Sequence, residues 1–158
     1  MIGVVNSGNS GNVHRALRHI GQETETYDYH KTYSAIVLPG VGNFGAFMRS
    51  VPTEAIKEHI EAGRKTLAIC VGMQALFEGS EEAFTPGLGL ISGTCKLLTG
   101  RVPHVGWSYV EEWSSFFYFV HSYSAGVEWV RYRNVLGVQF HPERSGAAGL
   151  KLLKEWFA

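Results

Sequence analysis

The chain carries no excess charge of either sign, no long apolar run and only two cysteines. Its 158 residues include 14 Lys+Arg and 14 Asp+Glu, and this balance argues against a general nucleic-acid binder. Apolar runs such as residues 36–38 are too short to span a bilayer, and the chain enters a strand-like run at Ile2 where a leader peptide would lie. We therefore expect a protein without a membrane segment.

The two cysteines, Cys70 and Cys95, lack the C-x-x-C spacing of a zinc site and are too few for a disulfide framework. This usage indicates a reduced, cytoplasmic setting with no metal or other cofactor. With 45% hydrophobic and 18% charged residues, the composition is globular. The length predicts a single domain over residues 1–158.

Hydrophobic patterning in the first half alternates between strands and helices. Apolar residues recur at helical spacing over residues 13–20 and 53–62. Short apolar strands are predicted at residues 2–6, 24–29, 35–38 and 66–69, with a further helix at 73–77. This order predicts an α/β fold whose central sheet is mostly parallel and flanked by helices.

The second half changes character, because strand-like segments follow one another with short turns between them. This predicts antiparallel hairpins, closed by an amphipathic helix at residues 150–157. The predicted strands cover residues 96–98, 108–112, 116–121, 126–132 and 136–140.

Cys70 lies between the predicted strand 66–69 and a helix, a setting similar to a nucleophile elbow. Such a turn would place the thiol at the carboxyl end of the sheet, beside helix N–H groups that favour the thiolate. The Val71 N–H would then point toward an oxyanion. Taken alone, Cys70 is more typical of a small buried hydrophobic residue than of a nucleophile, and Cys95 is expected to be structural.

His141 and Glu143 follow another apolar strand, in the sequence Gln139-Phe140-His141-Pro142-Glu143. In an extended segment, side chains two residues apart lie on one side, so Glu143 could orient His141. His141 could then take the proton of Cys70, as in a catalytic triad. An exposed His-Pro-Glu turn is the plain alternative, and the combination with the cysteine elbow favours the triad.

A glycine turn, Pro39-Gly40-Val41-Gly42, follows the strand at residues 35–38. Its N–H groups could hold an oxyanion or a carboxylate, although an ordinary tight turn would look the same. It is neither a P-loop nor a dinucleotide fingerprint, because the glycine spacing is wrong and no Gly-Lys-Ser/Thr follows.

Taken together, these segments resemble the class I, triad-type glutamine amidotransferases, and most closely the glutaminase subunits of imidazole glycerol phosphate synthase. The order of the motifs matches that family over nearly the whole chain. The matching stretches are residues 39–45, 70–77, 80–82, 87–91, 103–107, 118–123 and 137–145.

The resemblance implies a flavodoxin-like fold and hydrolysis of L-glutamine to glutamate and ammonia. Cys70 would be the nucleophile, His141 the proton carrier and Glu143 its orienting carboxylate. It also implies an oxyanion hole and a glutamine site, built from Gly40, Val41, Gly42, Val71, Gln74, His121, Ser122 and Tyr123. The glycine turn would have to reorganise before the hole works.

The resemblance further implies a heterodimer with a (β/α)₈-barrel synthase in histidine biosynthesis that receives the ammonia through its interior. The chain is too short to contain that barrel itself. Asn12, Trp107, Tyr118 and Arg144 match family positions near the subunit contact, and Arg144 stands where lysine is usual. Nucleic acid and membrane are not expected as partners.

The chain departs from the family pattern at four places. The first turn, residues 6–12, reads NSGNSGN instead of the usual Asp-Tyr-Gly-x-Gly-Asn, and Ala68 replaces the usual glycine before the elbow. Residues 113–117 and 124–134 form shorter hairpins than is usual. Open alternatives are a glutaminase for another acceptor such as a surface sugar, a catalytically silent binding subunit, and a general cysteine hydrolase or peptidase.

Overall fold

The computed structural model describes all 158 residues, and its centre is a six-stranded sheet. Five of the strands are parallel, and the edge strand β10 runs antiparallel to its neighbour β11. In spatial order the strands are β10 (Trp129–Tyr132), β11 (Val135–Val138), β4 (Lys65–Cys70), β3 (Ala35–Gly40), β1 (Ile2–Val4) and β2 (Thr24–Thr26).

The central strands are buried along their length, as parallel strands covered by helices should be. Every residue of β3 and β11 is buried, and 37 buried apolar residues form one connected cluster around the sheet. The helices that flank it are α1 (Ser10–His19), α2 (Phe44–Ser50), α3 (Thr53–Glu61), α4 (Val71–Gln74) and α5 (Gly146–Trp156). None of these helices is both long and apolar enough to cross a membrane.

The remaining strands form two smaller units. Strands β5 (Phe77–Ser80), β6 (Ile91–Leu97) and β9 (Tyr123–Ser124) make a three-stranded sheet. Strands β7 (His104–Val110) and β8 (Ser115–His121) make an antiparallel ribbon, joined by a 3-10 turn at Glu111–Trp113. The predicted α/β class and its antiparallel second half are confirmed.

Several elements differ from the sequence prediction, and in two of them the contribution of non-local partners is the reason. The helix after Cys70 ends at Gln74, not at Phe77, since the Ala75 and Leu76 carbonyls accept from the N–H groups of Leu88 and Leu90 at 2.7 and 2.9 Å. These bonds draw the chain into strand β5.

Helix α2 was not predicted. Its N-terminus is capped by the Asn43 side chain, which accepts from the Ala46 N–H at 3.0 Å, and by Glu82 from a distant loop. Its apolar side, including Phe44 and Phe47, is buried. Helix α5 starts four residues earlier than predicted, at Gly146.

Candidate active site

The predicted catalytic residues converge because three neighbouring strands end at the same edge of the sheet. Strands β11, β4 and β3 lie side by side, and Gly40 at the end of β3 is paired with Cys70 at the end of β4. The chain leaving β11 carries His141 to this edge. In an open parallel sheet, this carboxyl edge is where ligands bind.

Cys70 occupies a strained elbow, with φ 54° and ψ −110°, a backbone conformation that residues other than glycine rarely adopt. The elbow is tight because helix α4 is pressed against β3. A Cβ atom on Gly72 would collide with the Leu38 carbonyl, and one on Gly40 would lie 2.5 Å from the Gly72 nitrogen. Ala68 is completely buried and leaves this geometry intact.

His141 and Glu143 form a buried pair. The His141 Nδ1 lies 2.8 Å from the Glu143 Oε1, and both side chains are shielded from solvent. The two side chains meet because Pro142–Arg144 forms a 3-10 turn, and not because the segment is extended. The other ring nitrogen, Nε2, is buried without a hydrogen-bond partner, while His141 and Cys70 line the same cavity.

The surroundings of His141 favour its charged form. Burial alone would lower its pKa, but interactions with Cys70 and with the Glu143 carboxylate outweigh burial and raise the pKa to about 9. A pKa this high makes His141 a ready acceptor for the proton of the Cys70 thiol.

The Cys70 sulfur has two further polar neighbours. Its thiol lies 3.7 Å from the Val120 carbonyl oxygen, and the Gln139 side-chain amide donates to the sulfur at 3.6 Å. The Gln139 Oε1 in turn accepts from the Gln74 Nε2 at 3.2 Å. Gln139 was not predicted as a site residue, although it lies only two residues before the His-Pro-Glu motif that was singled out.

A cavity of about 450 Å³ opens in front of Cys70, large enough for a small substrate. Most of the predicted site residues line it: Val41, Gly42, Cys70, Val71, Gln74, His121, Ser122, Tyr123 and His141. Two do not: Gly40 lies behind the wall at the end of β3, and Glu143 lies behind His141.

His121 on this wall is held as a neutral imidazole. Burial is the main cause that lowers its pKa, and charge interactions with His104 and His141 add to that effect. Its Nδ1 donates to the Tyr123 carbonyl at 2.8 Å, so its Nε2 accepts from the His104 Nδ1 at 3.2 Å. The same Tyr123 carbonyl accepts from the Gln74 Nε2 at 2.9 Å. The predicted substrate residues are thus joined in one hydrogen-bonded wall.

Glu82 is a cavity residue that the sequence reasoning missed. It is the one carboxylate on the cavity wall, and its oxygens accept from the Phe44 N–H at 3.1 Å and the Asn43 amide at 3.3 Å. The signal was present, since Glu82 belongs to the stretch 80–82 that matched the family.

Three of the four predicted partner-contact residues cluster together: Trp107 and Tyr118 lie on the β7–β8 ribbon, and Arg144 packs against it from the Pro142–Arg144 turn. Trp107 and Tyr118 pack edge to face, with their ring centres 5.9 Å apart. The Arg144 guanidinium lies 4.7 Å from the centre of the Tyr118 ring. Asn12 lies apart from them on α1, where its amide donates to the Asn9 side chain at 3.0 Å.

The second cysteine does not provide another nucleophile. Cys95 is completely buried, and burial raises the pKa of its thiol to about 12, which makes it unreactive. No group of three or more His, Cys, Asp or Glu side chains is arranged to hold a metal ion.

A strained cysteine elbow facing a buried histidine–carboxylate pair, on a mostly parallel sheet, defines the class of α/β cysteine-nucleophile enzymes. Within that class, residues 4–109 match the family model of class-I glutamine amidotransferases. The chain belongs to that family.

Curated relatives narrow the family to one kind of subunit. The chain is 39% identical to the imidazole glycerol phosphate synthase subunit HisH of Exiguobacterium sibiricum, over 99% of the chain and 94% of the relative. It is 40% identical to the HisH subunit of Pyrococcus furiosus, over 94% of the chain and 93% of the relative. These identities place the chain among the HisH subunits, as the resemblance implied.

Solved structures confirm the fold. A crystal structure of a glutamine amidotransferase superposes with a TM-score of 0.81, at 18% identity, covering 98% of this chain and 97% of that one. The structure of PurLQS from Thermotoga maritima superposes with a TM-score of 0.67, also at 18% identity, covering 99% of this chain and 97% of that one.

The sequence alignments also confirm that the chain is shorter than its relatives. The Exiguobacterium alignment runs over 183 positions against the 158 residues of this chain, so the relatives carry segments that it lacks. That these segments correspond to residues 113–117 and 124–134 stays a prediction.

Proposed function

We propose that the chain is the glutaminase subunit of an imidazole glycerol phosphate synthase, hydrolysing L-glutamine to glutamate and ammonia with Cys70, His141 and Glu143. The observation that carries this proposal is the meeting of Cys70 with the buried His141–Glu143 pair in one cavity, in a chain of the HisH group. The three residues supply the nucleophile, proton carrier and orienting carboxylate that amide hydrolysis needs.

The reaction begins when the thiol proton passes to His141 Nε2, the ring nitrogen that has no other partner. The Cys70 sulfur attacks the side-chain carbonyl carbon of glutamine, and the oxyanion accepts from the Val71 N–H. His141 then donates its proton to the leaving nitrogen, so ammonia departs and a thioester remains. A water molecule, deprotonated by His141, hydrolyses the thioester to glutamate and restores the thiol.

Different parts of the cavity wall would bind the α-ammonium and the α-carboxylate groups of glutamine. Glu82 is the carboxylate that would hold the α-ammonium group. Gln74, with the His121–Tyr123 segment, would hold the opposite, carboxylate end. Because these groups bind the ends that do not react, they set the distance between the side-chain amide and Cys70.

The glycine turn completes the oxyanion hole in this proposal. Gly42 has a φ of +81°, which a side chain would disfavour, and it lines the cavity with Val41 beside the nucleophile. A change in the backbone conformation of the Gly40–Gly42 turn would bring a second N–H group toward the oxyanion. We expect that change to occur when the partner docks.

The partner in this proposal is a (β/α)₈-barrel synthase that receives the ammonia. Ammonia released into water would be protonated and would lose its nucleophilic lone pair, so transfer has to be enclosed. The β7–β8 ribbon supplies an apolar docking face, on which Val105, Trp107, Tyr109 and Phe116 are each at least half exposed. Arg144 beside Tyr118 offers a cation to an acidic group of the partner.

We also expect the reaction to take place in the cytoplasm. A catalytic thiol must remain reduced, and that compartment keeps free cysteines reduced.

The test is a glutaminase assay of the purified chain, alone and with a barrel synthase of the histidine pathway and its nucleotide ligand. We expect slow hydrolysis alone and a large increase when both are present. A full rate in the isolated chain would contradict the coupling. Stimulation only by a synthase acting on another acceptor, such as a sugar nucleotide, would move the chain to the alternative amidotransferase.

A further inference from the structure

We propose that Asn9 is a positioning residue of the glutaminase site: its side-chain amide fixes the Glu143 carboxylate, and Asn12 fixes Asn9. This inference rests on the proposed function. It concerns a loop residue in the first turn, 134 positions away from Glu143 along the chain, to which the sequence assigned no role.

The contact is direct and is shared with the catalytic pair. The Asn9 Nδ2 donates to the Glu143 Oε1 at 2.5 Å, and the same oxygen accepts from the His141 Nδ1 at 2.8 Å. Asn9 therefore holds the very oxygen that orients the imidazole. It does not line the substrate cavity, so it acts through Glu143 alone.

Glu143 depends on this contact because it has few others. Its side chain is fully buried, its second oxygen has no hydrogen-bond partner, and its one ion pair is with His141. A buried carboxylate is stable as an anion only when donors satisfy it. Without Asn9 the carboxylate would keep a single donor, and it could rotate away from His141.

Asn9 is itself oriented by its neighbours on α1. The Asn12 Nδ2 donates to the Asn9 Oδ1 at 3.0 Å, and the Asn12 Oδ1 accepts from the Arg15 guanidinium at 3.2 Å. Since the Asn9 oxygen is engaged by Asn12, the donor side of its amide has to face Glu143. Residues of the first turn and of the start of α1 thus hold the Glu143 carboxylate in place, on the side away from the cavity.

The consequence concerns the ion pair that forms when the Cys70 proton passes to His141. The groups that face His141 are Cys70, Glu143 and the neutral His121. A firmly held Glu143 anion stabilises the imidazolium, and the imidazolium stabilises the thiolate. Removal of the Asn9 donor should therefore make the ion pair less stable, without altering the cavity.

The experiment measures alkylation of Cys70 by iodoacetamide between pH 5 and 10 on the full chain, with the site of modification assigned by mass spectrometry. Asn9→Leu keeps the shape of the side chain and removes its donors. We expect the pH of half-maximal alkylation to rise by about one unit, as for loss of a hydrogen bond to a charged group. With glutamine and the synthase partner, we expect kcat to fall about ten-fold with KM within about two-fold.

Two further variants test the arrangement. Ser10→Ala is the matched control, because the Ser10 hydroxyl contacts only Asn6, at 3.4 Å, and it should behave as wild type. Asn12→Ala should also raise the pH of half-maximal alkylation, by less than Asn9→Leu does. The double variant Asn9→Leu/Asn12→Ala should match Asn9→Leu alone, because Asn12 acts through Asn9.

An Asn9→Leu profile that coincides with that of Ser10→Ala would overturn the proposal. Thermal unfolding of each variant checks that it is folded. If Asn9→Leu does not fold, Asn9→Ala replaces it in the alkylation experiment. Alkylation needs neither glutamine nor a partner, so a failure of the positioning role is distinguishable from a failure of glutaminase activity in the wild-type chain.

Discussion

Burial does not distinguish the two cysteines, since Cys70 and Cys95 are 3% and 0% exposed. Their neighbours distinguish them. Cys70 stands at a strained elbow beside His141 and the Gln139 amide, whereas the hydrogen-bond partner of the Cys95 sulfur is the Gln74 carbonyl oxygen, at 4.0 Å. A nucleophile needs a nearby proton acceptor, and among the two thiols only Cys70 has one.

We predict that Cys70→Ala lowers glutamine-dependent turnover by more than about a thousand-fold, because no other group can attack the amide. Ammonia-dependent synthesis by the partner should persist, which shows that only the supply of ammonia from glutamine is lost. Cys95→Ala is the matched control and should retain most of the activity. Turnover that survives in Cys70→Ala would refute the assignment of the nucleophile.

At the scale of elements, the elbow depends on the close approach of α4 to β3. Gly72 makes this approach possible, since a Cβ atom there would meet the Leu38 carbonyl. The carbonyl belongs to the backbone of a buried central strand and cannot move aside cheaply.

We predict that Gly72→Ala destabilises the fold by about 1–3 kcal/mol and lowers activity by displacing Cys70. Gly79→Ala in β5 is the matched control, because a Cβ atom on Gly79 meets nothing within 4 Å. Urea unfolding and the glutaminase assay measure the two effects. Equal stability of the two variants would contradict this reading of the elbow.

The β7–β8 ribbon is the element whose outer face lacks a partner within the chain. Cross-strand pairs Trp107–Tyr118 and Tyr109–Phe116 align their aromatic rings along the ribbon, and three of these four side chains are at least half exposed. Aromatic residues of this kind dominate binding energy when an interface covers them.

We predict that Trp107→Ala weakens binding of the synthase partner by at least about ten-fold, with little change in the slow hydrolysis by the isolated chain. Phe84→Ala is the control, since Phe84 is a fully exposed aromatic residue that lies outside the ribbon. Isothermal titration calorimetry measures the affinity. If both variants bound as tightly as wild type, the ribbon would not be the docking face.

For the whole molecule, buried histidines make stability depend on pH in opposite directions. The pKa of His141 is raised to about 9, so its contribution to stability is fully present below pH 6.5 and is lost as pH rises through 9. Burial lowers the pKa of His59 and His121, so their contribution is present above pH 6.5 and is lost as pH falls below it.

We predict that the free energy of unfolding is highest near pH 6.5 and falls as the pH rises toward 9. Glu143→Gln removes the negative charge that stabilises the His141 imidazolium, and it should flatten the alkaline side of the curve. Urea unfolding at a series of pH values measures both. An alkaline decline of equal size in Glu143→Gln would show that another group causes it.

The sequence by itself determined the fold class, the elbow at Cys70 and the pairing of His141 with Glu143. These features are local: alternation of apolar segments reports burial, and a small residue beside a strand end reports a tight turn. The ordered motifs were also enough to indicate the family and most of the cavity wall.

Only the tertiary structure decided that Asn9 meets Glu143, that Gln139 contacts Cys70 and that Glu82 joins the cavity. It also decided that the chain after Gln74 turns into a strand and that Asn43 starts a helix. Apart from the local cap that Asn43 forms with Ala46, the partners are far apart along the chain, and their contact follows from the order and register of the strands. A local pattern of polar and apolar residues records whether a side chain is buried, and not which distant side chain it will touch.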